Sequence, residues 1–318
     1  MQSRNVEIAE QVKGLTDKLE AGVKGVFESE QYIAYMKAMS KFHQYSFNNV
    51  MLILMQCPDA TAVAGFHTWK KQFGRTVKKG EHGIQILAPT PHKLLAERNK
   101  LDPDTMQPII GADGKPETES VFVVYQSYRV AYVFDVSQTE GRELHSYGVD
   151  ELTGDVAHFG ALLKAVTESA PVPVVMREPE KSKGCYKHKD QKIYLNEGMS
   201  QIDTISVLIH ETAHAKLHAL PVKDGIIDGK PEKDRHTREV EAESIAYIVC
   251  QHFGIETDES AFAYIAGWSS SKELDELKAS LDCISKTSAE TIDQIESRLP
   301  ELNKAREKTP VQEKCVSR

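Results

Sequence analysis

Apolar residues recur with a helical period along the first third of the chain. One apolar stripe runs through residues 6–19, and a second runs through residues 32–39. A third apolar segment follows Ser46, a favoured helix N-cap residue, and ends before Pro58. The pattern predicts three helices, with a short fourth helix from Phe66 to Phe73.

The period then changes from helical to alternating. Residues 83–89, 121–125 and 129–136 are rich in β-branched and aromatic side chains and predict strands. Residues 99–120 are rich in Asp, Pro and Gly, which predicts a long, exposed hairpin loop. A domain boundary is expected within residues 138–150, where polar residues and glycines follow the last strand.

The second half of the chain mixes short strands with longer helices. A helix at residues 155–169 leads into a strand at residues 172–176, and residues 184–188 and 192–196 predict a hairpin. Helices then dominate, with predicted ranges of 204–219, 236–253, 260–268 and 271–299.

These elements predict an α+β protein with two domains. At roughly 150 residues per domain, 318 residues are enough for two. We expect an N-terminal helical and β domain at residues 1–145 and a second domain at residues 150–270. A C-terminal helix and a charged tail are expected at residues 271–318.

Composition excludes several classes of protein. Hydrophobic residues make up 40% of the chain and charged residues 27%, which excludes a wholly disordered chain. No apolar run approaches the ~20 residues needed to cross a bilayer, and the first residues lack the features of a signal peptide. We therefore expect a cytoplasmic protein with no membrane partner. The five cysteines form no CxxC pair, which favours reduced thiols over disulfides or a cysteine zinc site.

Charge is distributed unevenly along the chain. The net charge is −8, yet residues 60–100 hold eight basic residues against two acidic ones. A basic block in an acidic chain suggests a localised site for a polyanion. A solvated lysine-rich face is the alternative interpretation.

The strongest chemical signal is an H-E-x-x-H motif at His210, Glu211 and His214. Four residues advance a helix by just over one turn, so both histidines point the same way and can share one Zn²⁺ ion. Glu211 lies about 100° around the helix, where it is placed to take a proton from water rather than to bind the metal. His218, one turn further on, is expected to pack or to support a ligand. The alternative is two surface histidines, which the apolar residues before the motif make a poor explanation.

A catalytic zinc usually has three protein ligands and one open position. We predict Glu239 as the third ligand, on a second helix that follows the motif in sequence. Glu243 lies one turn further on the same face and is expected to accept the N–H of a ligating histidine. Glu241 points away in this register, and the sequence leaves both Glu241 and Glu243 open as alternative ligands.

The predicted chemistry is zinc-assisted hydrolysis of a protein or peptide. Zinc polarises the scissile carbonyl, and Glu211 takes the proton of water and passes it to the leaving amine. The strand at residues 192–196 is interpreted as an exposed edge to which an extended peptide adds, or as an ordinary structural hairpin.

The second half resembles the minimal zinc peptidases of the ImmA/IrrE type over about residues 172–255. The resemblance rests on His210 to His218 followed by a Glu239-x-x-Ala-Glu-x-x-Ala segment. It implies a compact α+β gluzincin fold that acts on proteins, often a repressor or regulator. The chain departs from the family at Glu243, where Asn is common, and this leaves the supporting role of Glu243 open.

The first half resembles the N-terminal domain of ArdC-type antirestriction proteins over about residues 25–140. The motifs that carry the resemblance are Tyr45-Ser-Phe-Asn-Asn-Val, Gln56-Cys-Pro-Asp-Ala-Thr-Ala, Trp69-Lys-Lys, Val77-Lys-Lys-Gly-Glu-His-Gly and Val133-Phe-Asp-Val-Ser-Gln-Thr. The family implies binding of single-stranded DNA, a following metallopeptidase-like domain and an association with plasmids and conjugative elements.

Residue chemistry gives this implied DNA site candidate contacts. Basic side chains that can follow phosphates are Lys70, Lys71, Arg75, Lys78 and Lys79. Phe66, Trp69 and Phe73 can stack on bases, but Trp69 and Phe73 are one helical turn apart and are equally explained as core residues.

Two functions from different classes follow from these motifs. In the first, the protein is a zinc metallopeptidase with a module that binds single-stranded DNA, acting in antirestriction or in DNA transfer. In the second, it is a non-catalytic DNA-binding antirestriction module whose zinc is structural. A third possibility is a regulator that cleaves a repressor encoded on the same mobile element.

Overall fold

The computed structural model describes residues 2–27, 29–103, 105–111, 114–144, 156–218, 226–227, 230–231, 233–262 and 265–299. These residues divide into two compact units. The larger unit takes its described residues from 15–86 and 132–314, and the smaller takes them from 2–14 and 87–131. The predicted domain boundary partly falls on residues 145–155, and the predicted charged tail falls on residues 300–318, both outside the described residues.

Helices precede strands in the first half of the chain. The elements are α1 (Gln2–Val26), α2 (Ser29–Lys41), α3 (Phe47–Gln56), β1 (Val63–Gly65), α4 (Phe66–Lys71), β2 (Arg75–Val77), β3 (Ile84–Pro89), β4 (His92–Asn99), β5 (Thr118–Tyr125), β6 (Tyr128–Asp135) and β7 (Thr139–Gly141).

Helices and short strands mix in the second half. The elements are α5 (Val156–Ser169), β8 (Val174–Arg177), β9 (Gly184–Lys187), β10 (Lys192–Asn196), α6 (Gln201–Leu217), β11 (Ile226–Ile227), β12 (Lys230–Pro231), α7 (Arg235–His252), α8 (Ile265–Ser269) and α9 (Leu274–Ser297). The mixed α and β content confirms the predicted fold class. Within the described residues, no helix combines the length and apolar composition that a membrane span requires.

Three helices begin where a polar side chain caps the first turn. Ser46 accepts a hydrogen bond from the backbone N–H of Asn49, which fixes the start of α3. At the start of α7, Asp234 accepts from the N–H of Thr237 at 2.9 Å. Ser200 does the same for α6, which carries the H-E-x-x-H motif. Capping satisfies backbone donors that have no partner within the helix.

A small sheet in the second half has the order β8-β10-β9. β10 pairs in parallel with β8 and antiparallel with β9, so it is the central strand. The interpretation of residues 192–196 as an exposed edge is therefore wrong, because both sides of β10 are already paired. In the described part of this sheet, β9 is an edge strand.

The smaller unit is dominated by an antiparallel hairpin of β4 and β5. It extends through isolated bridges between Leu101 and Pro108 and between Ile110 and Pro116, in the segment where the sequence predicts an exposed hairpin loop. The strand β4 was not predicted, because charged residues interrupt its alternation. Leu95 and Phe122 lie opposite each other and are 63% and 73% exposed.

The core of the larger unit joins helices from both halves of the chain. α7 packs against α2, α6 and α9. Tyr32 of α2 is fully buried, and its hydroxyl lies 2.6 Å from the hydroxyl of Ser244 on α7. The ring of Phe27 packs edge-on against Trp268 at 5.6 Å. α7 is therefore buried on several sides, which fixes the position of the glutamates that it carries.

Candidate metal centre

α6 brings the two histidines of the H-E-x-x-H motif together. His210 and His214 lie one turn apart, and their Nε2 atoms are 3.0 Å from each other. The segment before them is buried, with Leu208 and Ile209 in the core. The helix is therefore anchored on its apolar side, and both imidazoles project from the same face.

α7 supplies a carboxylate to the same point. Glu239 Oε2 lies 3.6 Å from the Nε2 atoms of both His210 and His214. The two helices pack directly, and small residues such as Ala213 and Ala242 are fully buried. The structure thus brings together the three residues that the sequence predicts as ligands, and they form one of two clusters among the described residues with spacing suited to a metal ion.

The spacing of these atoms suits a common metal ion. Zinc bonds to histidine nitrogen and carboxylate oxygen are ~2.0–2.2 Å long, so ligand atoms in a tetrahedral site lie roughly 3.3–3.6 Å apart. The observed separations of 3.0, 3.6 and 3.6 Å are close to this range. Two imidazoles and one carboxylate are also the donors typical of a catalytic zinc with an open fourth position.

Each histidine places its other ring nitrogen against a partner. His210 Nδ1 lies 3.0 Å from Glu243 Oε2, so the carboxylate accepts the Nδ1–H. His214 Nδ1 lies 3.0 Å from His218 Nδ1, and His218 Nε2 lies 3.4 Å from Glu241 Oε2. In the neutral rings, these contacts place the hydrogen on each Nδ1 and leave the lone pair of each Nε2 directed at the cluster, which is the tautomer that binds a metal.

Glu241 lies away from the cluster and is fully buried. Its Oε1 accepts hydrogen bonds from Lys233 Nζ at 2.6 Å and from Ser280 Oγ at 2.9 Å. Its other oxygen faces His218. The carboxylate thus has three partners away from the cluster, whereas Glu239 faces the Nε2 atoms of His210 and His214 directly.

The carboxylates of Glu239 and Glu243 lie beside His210 and favour a positive charge there. Burial alone would lower the pKa of His210, but the nearby carboxylates of Glu239 and Glu243 outweigh it and raise the pKa to about 10. The imidazoles of His210 and His214 hold the pKa of Glu239 well below its usual value. Burial lowers the pKa of His218, which keeps that ring neutral at pH 7. A divalent cation at this point would supply the positive charge that the two carboxylates favour.

Glu211 is held beside the cluster by the neighbouring sheet. Its side chain is buried, and Oε2 accepts a hydrogen bond of 2.6 Å from the backbone N–H of Tyr186 on β9. This bond fixes one carboxylate oxygen and directs the residue toward the edge strand. The sequence predicts Glu211 but gives no sign of the Tyr186 amide, because that contact joins elements 25 residues apart.

The predicted DNA-binding residues fall into two groups. The side chains of Lys70, Lys71, Lys78 and Lys79 are exposed, near the end of α4 and after β2. Arg75 is partly buried and bonds within the protein. Its guanidinium donates to the side chain and to the backbone carbonyl of Thr139. That contact supports the pairing of β2 with β7.

Trp69 is a core residue. It is 1% exposed, its ring packs against Phe73 at 4.6 Å, and its indole N–H donates to the backbone carbonyl of Phe134 at 2.8 Å. The prediction that Trp69 stacks on a base is therefore wrong, because its faces are occupied by the core. Phe66 is exposed.

Comparisons with known proteins match both halves of the chain. Residues 7–134 match the model of the N-terminal domain of anti-restriction factor ArdC. Residues 168–251 match a peptidase family model described as the IrrE N-terminal-like domain. Both resemblances inferred from the sequence are thereby confirmed. The two matches divide the chain differently from the two compact units, and the predicted boundaries at residues 145 and 150 stay predictions.

Individual proteins also align with most of the chain. An uncharacterized protein of Bacillus anthracis is 28% identical over 97% of this chain. The chain spans about half of that relative, 55% of its length. Two crystal structures of the antirestriction ArdC protein from the R388 plasmid align at 18% identity. The metal-free structure gives a TM-score of 0.41 over 81% of this chain and 85% of that one, and the Mn(II)-bound structure gives 0.40 over 80% and 83%.

Proposed function

Because the chain joins an ArdC-type N-terminal domain to an IrrE-like peptidase domain, we propose that it is a zinc-dependent metallopeptidase with a module that binds single-stranded DNA. The observation that carries the first part is the convergence of two imidazole nitrogens and one carboxylate oxygen within 3.6 Å. Both activities suit a cytoplasmic protein of a mobile element, acting in antirestriction or in the regulation of DNA transfer.

In this proposal, His210, His214 and Glu239 hold the zinc. When bound there, zinc polarises a carbonyl and makes water more acidic. Glu211 takes a proton from water at one carboxylate oxygen and returns it to the leaving amine, while the Tyr186 N–H holds the other oxygen in place. Glu243 and His218 keep the ligating rings in the required tautomer.

The proposed substrate is an extended segment of a protein. β9 is an edge strand of the described sheet, and the backbone of its residue Tyr186 contacts Glu211. A peptide that pairs with an edge strand is held by its main chain, with its side chains projecting alternately. A peptide on β9 would therefore place a backbone carbonyl near the general base.

Glu211→Gln tests catalysis without removing a metal ligand. We expect the variant to retain zinc and fold, and to lose at least ~100-fold in the rate of peptide hydrolysis, because amide nitrogen cannot take up the proton. Rates are measured on proteins trapped by Glu211→Gln and identified by mass spectrometry. Glu256→Gln, at an exposed position, is the control and should keep the wild-type rate. Equal hydrolysis by Glu211→Gln and wild type would exclude this mechanism.

The same variant separates the enzyme from a non-catalytic antirestriction module. If transferred DNA is protected equally well by Glu211→Gln and by wild type, hydrolysis is not the function and the metal is structural. If protection is lost while DNA binding persists, proteolysis is required. Cleavage of a repressor from the same mobile element would appear among the trapped proteins.

The second part of the proposal places single-stranded DNA along the exposed lysines around α4 and β2. Lys70 and Lys71 lie in the last turn of α4, and Lys78 and Lys79 follow β2. Four ammonium groups in one short stretch can follow a phosphate backbone, and the exposed ring of Phe66 is available to a base.

Salt dependence tests this DNA site. Each phosphate contact lowers the logarithm of affinity by about 0.7 per logarithm of salt for single strands. Replacing Lys70 and Lys71 with Gln should therefore reduce the slope by roughly 1.4 if both contact phosphates. Lys164→Gln, on α5 and highly exposed, is the control and should leave the slope unchanged. An unchanged slope in the double variant would contradict the assignment.

A further inference from the structure

A second cluster of metal-ligating side chains lies in the larger unit and shares no residue with the first. His43 follows α2, His252 ends α7, and Asp293 and Glu296 lie one turn apart on α9. One ligand atom from each of His43, Asp293 and Glu296 lies within 4.8 Å of the others. His252 Nε2 is 3.1 Å from Glu296 Oε1, and the rings of His43 and His252 are 4.6 Å apart.

The cluster is largely enclosed by the three helical segments that form it. The side chains of His43, Glu296 and His252 are 8%, 11% and 18% exposed, and Asp293 forms the outer side at 40%. The Glu296 carboxylate thus lies largely out of water, where its charge is costly unless a positive charge lies beside it.

His252 contacts an acceptor at each ring nitrogen. Its Nδ1 lies 2.9 Å from the backbone carbonyl of Ser40, and its Nε2 lies 3.1 Å from Glu296 Oε1. A carboxylate oxygen accepts, so the second contact is a hydrogen bond when Nε2 carries a hydrogen. Hydrogen bonds of this kind commonly orient the carboxylates that bind metals. His252 thus holds Glu296 beside His43.

Asp293 is oriented in a comparable way. Gln44 Nε2 donates to Asp293 Oδ1 at 2.8 Å, and the same oxygen lies 3.9 Å from His43 Nε2. Carboxylates that bind metals are commonly held by such a hydrogen bond. Gln44 thus fixes the carboxylate beside His43.

We propose that His43, Asp293 and Glu296 bind a divalent transition-metal ion, with zinc as the expected ion. One imidazole and two carboxylates suit zinc, and the two negative charges balance a 2+ ion. Three protein ligands leave a fourth position for water. The ion links the end of α2 to α9, and His252 at the end of α7 orients one of its carboxylate ligands.

Zinc stoichiometry in the full chain tests this site separately from the first. After equilibrium dialysis against Zn²⁺, elemental analysis should give two ions per wild-type chain, one in His210→Ala/His214→Ala and one in His43→Ala/Asp293→Asn. The quadruple variant should bind none. Asp282→Asn, elsewhere on α9 and paired with Lys286, is the control and should keep two ions. No zinc in His210→Ala/His214→Ala, or one ion retained by the quadruple variant, would overturn the proposal.

A single substitution, Asp293→Asn, gives a second test that does not depend on whether the double variant folds. In the His210→Ala/His214→Ala background, zinc should raise the melting temperature, and adding Asp293→Asn should weaken zinc binding at least tenfold and remove that rise. Asp293 lies at the outer side of the cluster, so this change disturbs little packing. Undiminished zinc affinity would refute the site. Because this background lacks the HExxH histidines, the result does not depend on the proposed peptidase activity.

Discussion

Each histidine of the H-E-x-x-H motif uses its two ring nitrogens for different partners. The Nε2 atoms of His210 and His214 converge with Glu239, and the Nδ1 atoms contact Glu243 and His218. Such outer partners raise the basicity of a ligand and fix its orientation. The affinity of the proposed metal site is therefore expected to depend on residues that do not touch the ion.

His218 gives the clearest test of this dependence. His218→Ala removes the acceptor for His214 Nδ1–H, so we expect zinc affinity at the first site to fall by about 10–100-fold. Competition with a chelator, in an Asp293→Asn background, measures the affinity of that site alone. His67→Ala, at an exposed position, is the control. Equal affinities in the His218 and His67 variants would show that His218 only packs.

The sequence predicts the residues of the motif better than their surroundings. The spacing of His210 and His214 is local to one helix, so helical geometry is enough to predict their convergence. The roles of Tyr186 and Glu241 depend on contacts between distant elements, which no local pattern contains. The prediction that Trp69 stacks on a base is wrong for the same reason. Its sequence neighbours are basic, but the core that encloses it comes from β6 and nearby segments.

At the scale of elements, the stability of α7 depends on Asp234, the residue that caps its first turn. Asp234 accepts from the N–H of Thr237 and forms an ion pair of 2.5 Å with Lys272. Partial burial would raise the pKa of Asp234, but the hydrogen bonds from Lys272 and Thr237 outweigh it and hold the pKa well below its usual value. The carboxylate is therefore charged at neutral pH and stabilises the helix that carries Glu239.

We expect Asp234→Ala to lower the free energy of unfolding by about 1 kcal/mol at pH 7, as lost caps do. A depressed pKa contributes stability above the unfolded value of about 4 and loses it as the pH falls further. The difference between wild type and Asp234→Ala in urea unfolding should therefore shrink below about pH 4. Asp234→Asn keeps a capping side chain and should lose less. A constant difference down to pH 3 would contradict the linkage.

Element types were predicted more successfully than their arrangement. The hairpin of β9 and β10 and the long helices α6, α7 and α9 follow from periodicity and turn residues. The sheet order β8-β10-β9 does not, since parallel pairing of β8 with β10 joins segments separated by β9. That order decides which strand is an edge, and so where a peptide is expected to add.

At the scale of the whole molecule, the peptidase-like half depends on helices from the other half. Tyr32 and Tyr35 of α2 are fully buried, and the ring of Tyr32 packs against Phe262 at 5.3 Å. Removing α2 exposes this face of α7. Each large apolar side chain uncovered costs about 1.5–3 kcal/mol, against a total stability of about 5–15 kcal/mol for a domain.

Residues 150–318 expressed alone should therefore lack a cooperative thermal transition and should bind a hydrophobic dye. Calorimetry and dye fluorescence check this, with the full chain as the reference. Tyr32→Phe in the full chain is the matched control, because it removes one hydroxyl and should cost about 1 kcal/mol only. A fragment that melts cooperatively at the temperature of the full chain would show that the two halves fold independently.

Anomalous X-ray scattering tests the central claim most directly. In crystals of the full chain soaked with Zn²⁺, data collected above and below the zinc absorption edge locate the ion without reference to activity. We predict a peak ~2.0–2.2 Å from the Nε2 atoms of His210 and His214 and from a carboxylate oxygen of Glu239. A zinc-soaked crystal with no peak among these three residues would contradict the proposed metal centre and the hydrolysis that depends on it.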